Sequence, residues 1–196
     1  MLTLSVGVYS INWVLQALED RQRHPLEVHS VMSKDKTSSV DTTTSIVMKF
    51  EPRTTDAPAV VAIASASLLA ADNYDGHTPV IRIEGNKGEI QVFGPSWRPS
   101  KVSLFERQQK FGASGILVRE MENNIPEGTH GLCYEADEVA RCIRDGKLES
   151  PSMPWAETLI VMEIMDTVRR DNSLWFPEEV ESSNYPVDLS SIAMQR

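Results

Sequence analysis

At 196 residues, 41% of them hydrophobic, the chain is long enough for one domain with a sizeable core. Its formal net charge is -9 and it has no Lys/Arg cluster longer than a pair. It therefore lacks the basic face that phosphate binding needs, so nucleic acid and anionic membrane are excluded and a small molecule is the expected partner.

The chain opens on a helix. Val8, Ile11, Leu15 and Leu18 form one stripe at helical spacing, with Tyr9, Trp13 and Gln16 beside it. So short a helix is marginal alone and must dock on the rest. Residues 21–25 close it, and Leu26 to Ser33 begins the strands. From there the period is two: Ile46, Met48 and Phe50 alternate with Ser45, Val47 and Lys49, and the more continuous apolar run Val60 to Leu69 is expected as a central strand. Residues 37–42 and 53–58 are the intervening turns. Ile81 and Ile83, the turn Gly85-Asn86-Lys87-Gly88, and Ile90 and Val92 read as a hairpin. Gly94-Pro95 ends it, Val102 to Glu106 and Ile116 to Glu120 read as further strands, and residues 121–129 as a polar loop.

Two helices follow. In the first, Ala136, Val139, Ala140 and Ile143 make an apolar stripe, and Gly146 supplies a left-handed stop. The second has Pro154 in its first turn, Glu157 near its positive end, an apolar face of Val161, Ile164, Met165 and Val168, and Arg169 and Arg170 at its negative end. Both are expected to lie on the strands. The remainder, 171–196, reads as an irregular tail that wraps the surface or a partner subunit. No internal repeat is visible. The reading is a single α+β domain over 1–196, an open, mostly antiparallel sheet with helices on one face. The other face then needs a cover of its own.

Cys133 and Cys142 fall on roughly opposite sides of one predicted helix, so they cannot bridge each other there. With no other cysteine and no ligand spacing among His24, His29 and His77, neither a disulfide framework nor a zinc site is expected. Asp72-Asn73-Tyr74-Asp75-Gly76 lacks the alternation and terminal Glu of an EF-hand loop and reads as a polar turn. The first residues lack a basic n-region and a small-residue cleavage site, so they are not expected to act as a leader, and the apolar run from Pro58 to Ala71 is too short and too rich in Ala and Ser to span a bilayer; the cytoplasm is the expected location.

Three stretches carry a family resemblance. They are GVYSINWVLQ from Gly7, IRIEGNKGEIQVFGPSWRP from Ile81, and YEADEVARCIRDGKLES followed by MPWAETLIVMEIMDTVRR. In order and spacing they resemble the C-terminal domain of the Gfo/Idh/MocA oxidoreductases, in the branch of dimeric dihydrodiol dehydrogenases and fungal NADP-dependent D-xylose dehydrogenases. The resemblance implies a homodimer through the open sheet face. It also implies that the nucleotide-binding half, with its acid/base lysine, lies outside this sequence. The sequence agrees in having no GxGxxG, and its one Gly-flanked turn joins two strands. No cofactor is expected on this chain alone, although the full-length family uses NADP.

By the same resemblance Tyr9, in the G-V-Y motif, is the proton donor and acceptor beside the substrate. A phenol needs a neighbouring cation for that role at neutral pH. The family places Asp four residues before this Tyr, where Ser5 stands here. His130 is the second acid/base candidate. Trp13, Trp97, Tyr134 and Glu135 are candidates for lining the same cleft. Four of these six have a plainer role: Tyr9 as a helix-edge residue with a wet hydroxyl, His130 as a helix-entry residue, Trp97 as packing, and Glu135 as a helix-start carboxylate.

Three functions are compatible with this reading. The chain is the substrate half of an oxidoreductase acting on a small polyol, diol or carbonyl compound, served by a separate nucleotide-binding partner. Alternatively, it is a cofactor-independent isomerase, lyase or cyclase that reuses the pocket. The third possibility is a non-catalytic dimeric binding protein.

Overall fold

The computed structural model describes residues 2–18, 21, 23–52, 54–70, 77–109, 112–181 and 183. A five-residue π turn, Thr3–Gly7, runs straight into α1, Val8–Ala17. Seven strands follow: β1 Glu27–Lys34, β2 Asp41–Phe50, β3 Val60–Ser67, β4 Ile81–Glu84, β5 Gly88–Phe93, β6 Lys101–Glu106 and β7 Ile116–Glu122. The chain then forms α2, Leu132–Arg144, α3, Trp155–Asp171, and the short α4, Glu178–Glu181.

Among the described residues every strand pairing is antiparallel, in a three-stranded sheet ordered β1-β2-β3 and a four-stranded sheet ordered β4-β5-β6-β7. This is the expected open α+β arrangement, with two differences in the first sheet. The strand at its centre is β2, and β3 is an edge strand among the described residues. The continuous apolar run of β3 reads as burial on both sides, but only Ala64 is buried and Val61 and Ile63 face outward. β2 also starts at Asp41, inside the expected turn, and β7 runs on through Met121 and Glu122 into the expected loop.

The core forms where α1 and α3 cover one face of the three-stranded sheet. Ile11, Leu15 and Leu18 from the first helical stripe meet Ile46, Met48 and Phe50 from β2 and Ile160, Val161, Ile164, Met165 and Val168 from α3. Each full burial of such a side chain contributes about 1.5–3 kcal/mol. On the opposite face of this sheet, Val31 is 76% and Ile63 70% exposed, and Val47 and Val61 are exposed between them.

In the second sheet Ile81, Val92, Val102 and Met121 are register partners on one face. The other face mixes Phe93 and Phe105 with polar pairs, Arg82 bonded to Glu89 at 2.6 Å and Ser103 to Glu120 at 2.8 Å. Gly88 allows the β4–β5 turn to press against β6: a Cβ there would stand 2.1 Å from the carbonyl oxygen of Phe105.

α2 departs from expectation. Its stripe is present, but it does not face a sheet: Leu132 is 68% and Ile143 74% exposed, and of the helix only Cys142 is buried. Its end is as expected. Gly146, at φ +66°, donates to the Ile143 carbonyl and Lys147 to that of Cys142, the paired bonds of a Schellman motif. Ser150 donates to Glu138 at 2.7 Å and ties α2 to the loop before α3. The tail begins in order, with Phe176 stacked under the Arg169 guanidinium and Arg169 paired to Glu181 in α4. Residues 71–76, which include the Asp72–Gly76 segment, and 184–196 lie outside the described residues.

Candidate functional site

α1 presents its polar flank on the side away from the core stripe. Tyr9 and Trp13 are four residues apart and so share one helix face. The Trp13 indole N–H donates to the Ser96 carbonyl at 2.7 Å, which brings the loop after the hairpin against α1. That loop is tight: Gly94 turns at φ +92°, Arg98 N–H bonds the Pro95 carbonyl at 2.8 Å, and Ser100 N–H bonds that of Phe93 at 2.9 Å. At its tip Trp97 is exposed, and the Arg98 guanidinium sits 5.1 Å from the Trp97 ring centre.

Arg98 then reaches the entry of α2, where its Nη1 lies 3.0 Å from Nδ1 of His130. His130 has φ +53° and is followed by Gly131 at φ +90°, so two successive left-handed residues lift the chain into the helix. These contacts link Trp13, Ser96, Trp97, Arg98 and His130 into a rim, with Tyr9 one turn of α1 before Trp13, and so gather two aromatic surfaces, a phenol, an imidazole and a guanidinium. Such a set can stack on a small organic molecule and hydrogen-bond its oxygens.

The described strands differ from the usual seat of a dinucleotide pyrophosphate. That seat is a strand leading through a Gly-rich turn into a helix beside a parallel neighbour, and every pairing among the described residues is antiparallel. Nor does any group of three His, Cys, Asp or Glu among the described residues suit a metal ion.

No family profile matches the chain. D-xylose 1-dehydrogenase (NADP(+)) of Hypocrea jecorina is 36% identical over 189 residues, covering 93% of this chain and 46% of the relative. The trans-1,2-dihydrobenzene-1,2-diol dehydrogenases of Macaca fascicularis and Homo sapiens are 23% and 22% identical over 176 residues, covering 90% of this chain and 47% of each relative. Along the part of them that it spans, the chain is similar to the D-xylose and dihydrodiol dehydrogenases, the branch of the Gfo/Idh/MocA oxidoreductases that its three motifs resemble. It spans about half the length of the curated relatives it matches.

The predicted site residues divide into two groups. Tyr9, Trp13, Trp97 and His130 fall along the rim. Tyr9 is exposed, and its hydroxyl has no hydrogen-bond partner among the described residues. Tyr134 points back instead, its hydroxyl donating to the Asn124 carbonyl at 3.2 Å. Glu135 lines the bare apolar side of α2 with Leu132, Ala136, Val139, Ala140 and Ile143. Arg98, which was not among the candidates drawn from the sequence, is the residue that joins this loop to the entry of α2. The available signal was a lone cation between two prolines, Pro95 and Pro99, in a loop without an acidic residue.

Proposed function

We propose that this chain is the substrate-binding and dimerisation half of an oxidoreductase that acts on a small polyol, diol or carbonyl compound, and that hydride transfer needs a nucleotide-binding unit it does not contain. The observation that carries the reading is the 36% identity to D-xylose 1-dehydrogenase (NADP(+)) over 93% of the chain. In this reading Trp13 and Trp97 flank the substrate's apolar face, Tyr9 takes or gives the proton of the reacting hydroxyl, and His130 hydrogen-bonds a substrate oxygen. The cation that a phenol needs for this task is supplied with the nucleotide-binding unit.

Two exposed surfaces support the assembly. The apolar stripe of α2 suits the nucleotide-binding unit, and the outer face of the three-stranded sheet, with Val31, Val47, Val61 and Ile63, suits a second copy of the chain. The cytoplasm suits such an enzyme: both cysteines are free, and no described helix is long and apolar enough to cross a membrane.

The test is calorimetric titration of the chain with NADP(H) and NAD(H), alone and after fusion to the remaining half of the Hypocrea jecorina D-xylose dehydrogenase. The chain alone should give no heat at millimolar nucleotide, and the fusion should bind NADP(H) and oxidise a polyol or sugar. Micromolar binding by the chain alone would overturn the division of labour. A folded fusion that binds nucleotide but turns over no polyol, diol or carbonyl compound would overturn the substrate assignment.

A further inference from the structure

Arg98 is half-buried and has no carboxylate partner among the described residues. Its two close neighbours are the Trp97 ring, 5.1 Å from the guanidinium carbon, and Nδ1 of His130, 3.0 Å from Nη1. A guanidinium carries five N–H donors and no acceptor, and it stays protonated in proteins. Whatever faces it at hydrogen-bond distance must offer a lone pair. Nδ1 of His130 can accept from it only when it carries no proton, which in the neutral ring is the Nε2–H tautomer.

We propose that Arg98 is a positioning residue that fixes His130 as its Nε2–H tautomer, making the imidazole a hydrogen-bond donor to a substrate oxygen and not a proton acceptor. The part about substrate rests on the functional reading above; the tautomer rests on the Arg98–His130 geometry alone. Two left-handed residues at the start of α2, His130 and Gly131, set the backbone from which the ring meets the guanidinium. Trp97 closes the other side of the guanidinium.

The assignment divides the chemistry. With Nδ1 engaged and Nε2 protonated, His130 has no free lone pair, so Tyr9 is left as the rim's acid/base group. It also sets a specificity. The substrate atom that meets His130 must accept a hydrogen bond, as a carbonyl or hydroxyl oxygen does and an ammonium group does not.

The experiment is two-bond proton–nitrogen NMR of the uniformly labelled chain at a pH where imidazole is neutral. His130→Gln identifies the His130 signals among the four imidazoles. The wild type should show His130 with an unprotonated Nδ1 and little averaging toward the Nδ1–H form. Arg98→Met, which removes the donor but keeps the length, should raise the Nδ1–H fraction at least twofold, and Arg98→Lys, which restores a donor, should bring it back toward wild type. An unchanged fraction in Arg98→Met, or a dominant Nδ1–H form in the wild type, would overturn the proposal. Because these spectra need no turnover, failure of the substrate reading leaves this result legible, and failure of tautomer control leaves that reading standing.

Discussion

Asp41 caps the first turn of the chain through Thr3, whose backbone N–H donates to Oδ2 at 2.6 Å and whose hydroxyl donates to the same oxygen. The Leu2 N–H adds a third bond, to Oδ1 at 2.9 Å. Both Asp41 and Thr3 are fully buried, so a carboxylate at the start of β2 satisfies the orphan donors of the turn that delivers α1 and Tyr9 to the rim. Burial is the largest influence on this carboxyl and works to raise its pKa. The bonds from Thr3 and Leu2 together outweigh it, and the net direction is downward.

Asp41→Asn should therefore cost about 2 kcal/mol near neutral pH, the range for hydrogen bonds to a charged group. Because the folded pKa is depressed, this contribution is complete above the unfolded carboxylate value of about 3.9 and is lost as the pH falls through the lower folded value. Urea midpoints across the acid range check this: the gap between wild type and Asp41→Asn should close as the pH drops. A gap independent of pH would mean that shape, not charge, makes the cap.

A second buried carboxylate joins the helices. Glu157 is fully buried in the first turn of α3, where Oε1 accepts from Gln16 at 2.6 Å and Oε2 lies 3.8 Å from the Arg21 guanidinium. Arg21 also donates to the Gln16 side-chain oxygen at 3.0 Å and to the Ser152 carbonyl at 2.9 Å, so these residues clamp the end of α1 to the start of α3. Removing the acid leaves Gln16 and Arg21 without it, and Glu157→Ala should cost about 3 kcal/mol. Arg21 is a third exposed, so Arg21→Ala should cost only about 1 kcal/mol. Chemical denaturation of both single variants and the double variant gives the coupling directly, and strictly additive losses would sink the clamp.

How far these features were legible in sequence depended on their range. The stripe of Ile11 and Leu15, the inward residues of β2 and the face of α3 could be read because each is a local period that burial then satisfied. The period of α2 was equally legible, but a period reports that a stripe exists and not what covers it; Val139 and Ile143 remain bare in this chain. β3 was misplaced for a related reason: Val60 to Ile63 is uniformly apolar, whereas only alternate residues of the strand face the helices. The rim was half legible. Tyr9 and Trp13 share a helix, but the Arg98–His130 contact joins positions 32 residues apart, and no local pattern encodes it.

The outer face of the three-stranded sheet gives the next prediction. Val47 stands between His29 and Ile63 in register, and Ser45 between Val31 and Ser65, so exposed apolar and small side chains tile one surface. If a second copy covers it, light scattering should return about twice the 21.9 kDa of one chain. Ile63→Lys places an ammonium beside Val47 on that surface and should give a folded monomer with unchanged circular dichroism. A wild-type chain that scatters as a monomer, or an Ile63→Lys dimer of wild-type affinity, would move the interface elsewhere.

Tyr9→Phe removes one oxygen from an exposed ring whose hydroxyl bonds nothing among the described residues, so its stability should stay within about 0.5 kcal/mol of wild type. Its effect should fall on turnover. In the fusion to the nucleotide-binding half of the D-xylose dehydrogenase, loss of a general acid/base should lower kcat by roughly 100- to 10,000-fold and leave KM within a few-fold. Trp13→Ala provides the contrast: it breaks the bond to the Ser96 carbonyl at 2.7 Å and frees the loop that carries Trp97 and Arg98, so KM should rise along with any fall in kcat. Steady-state kinetics of the two variants separate proton transfer from positioning, and unchanged turnover in Tyr9→Phe would assign the proton to another group.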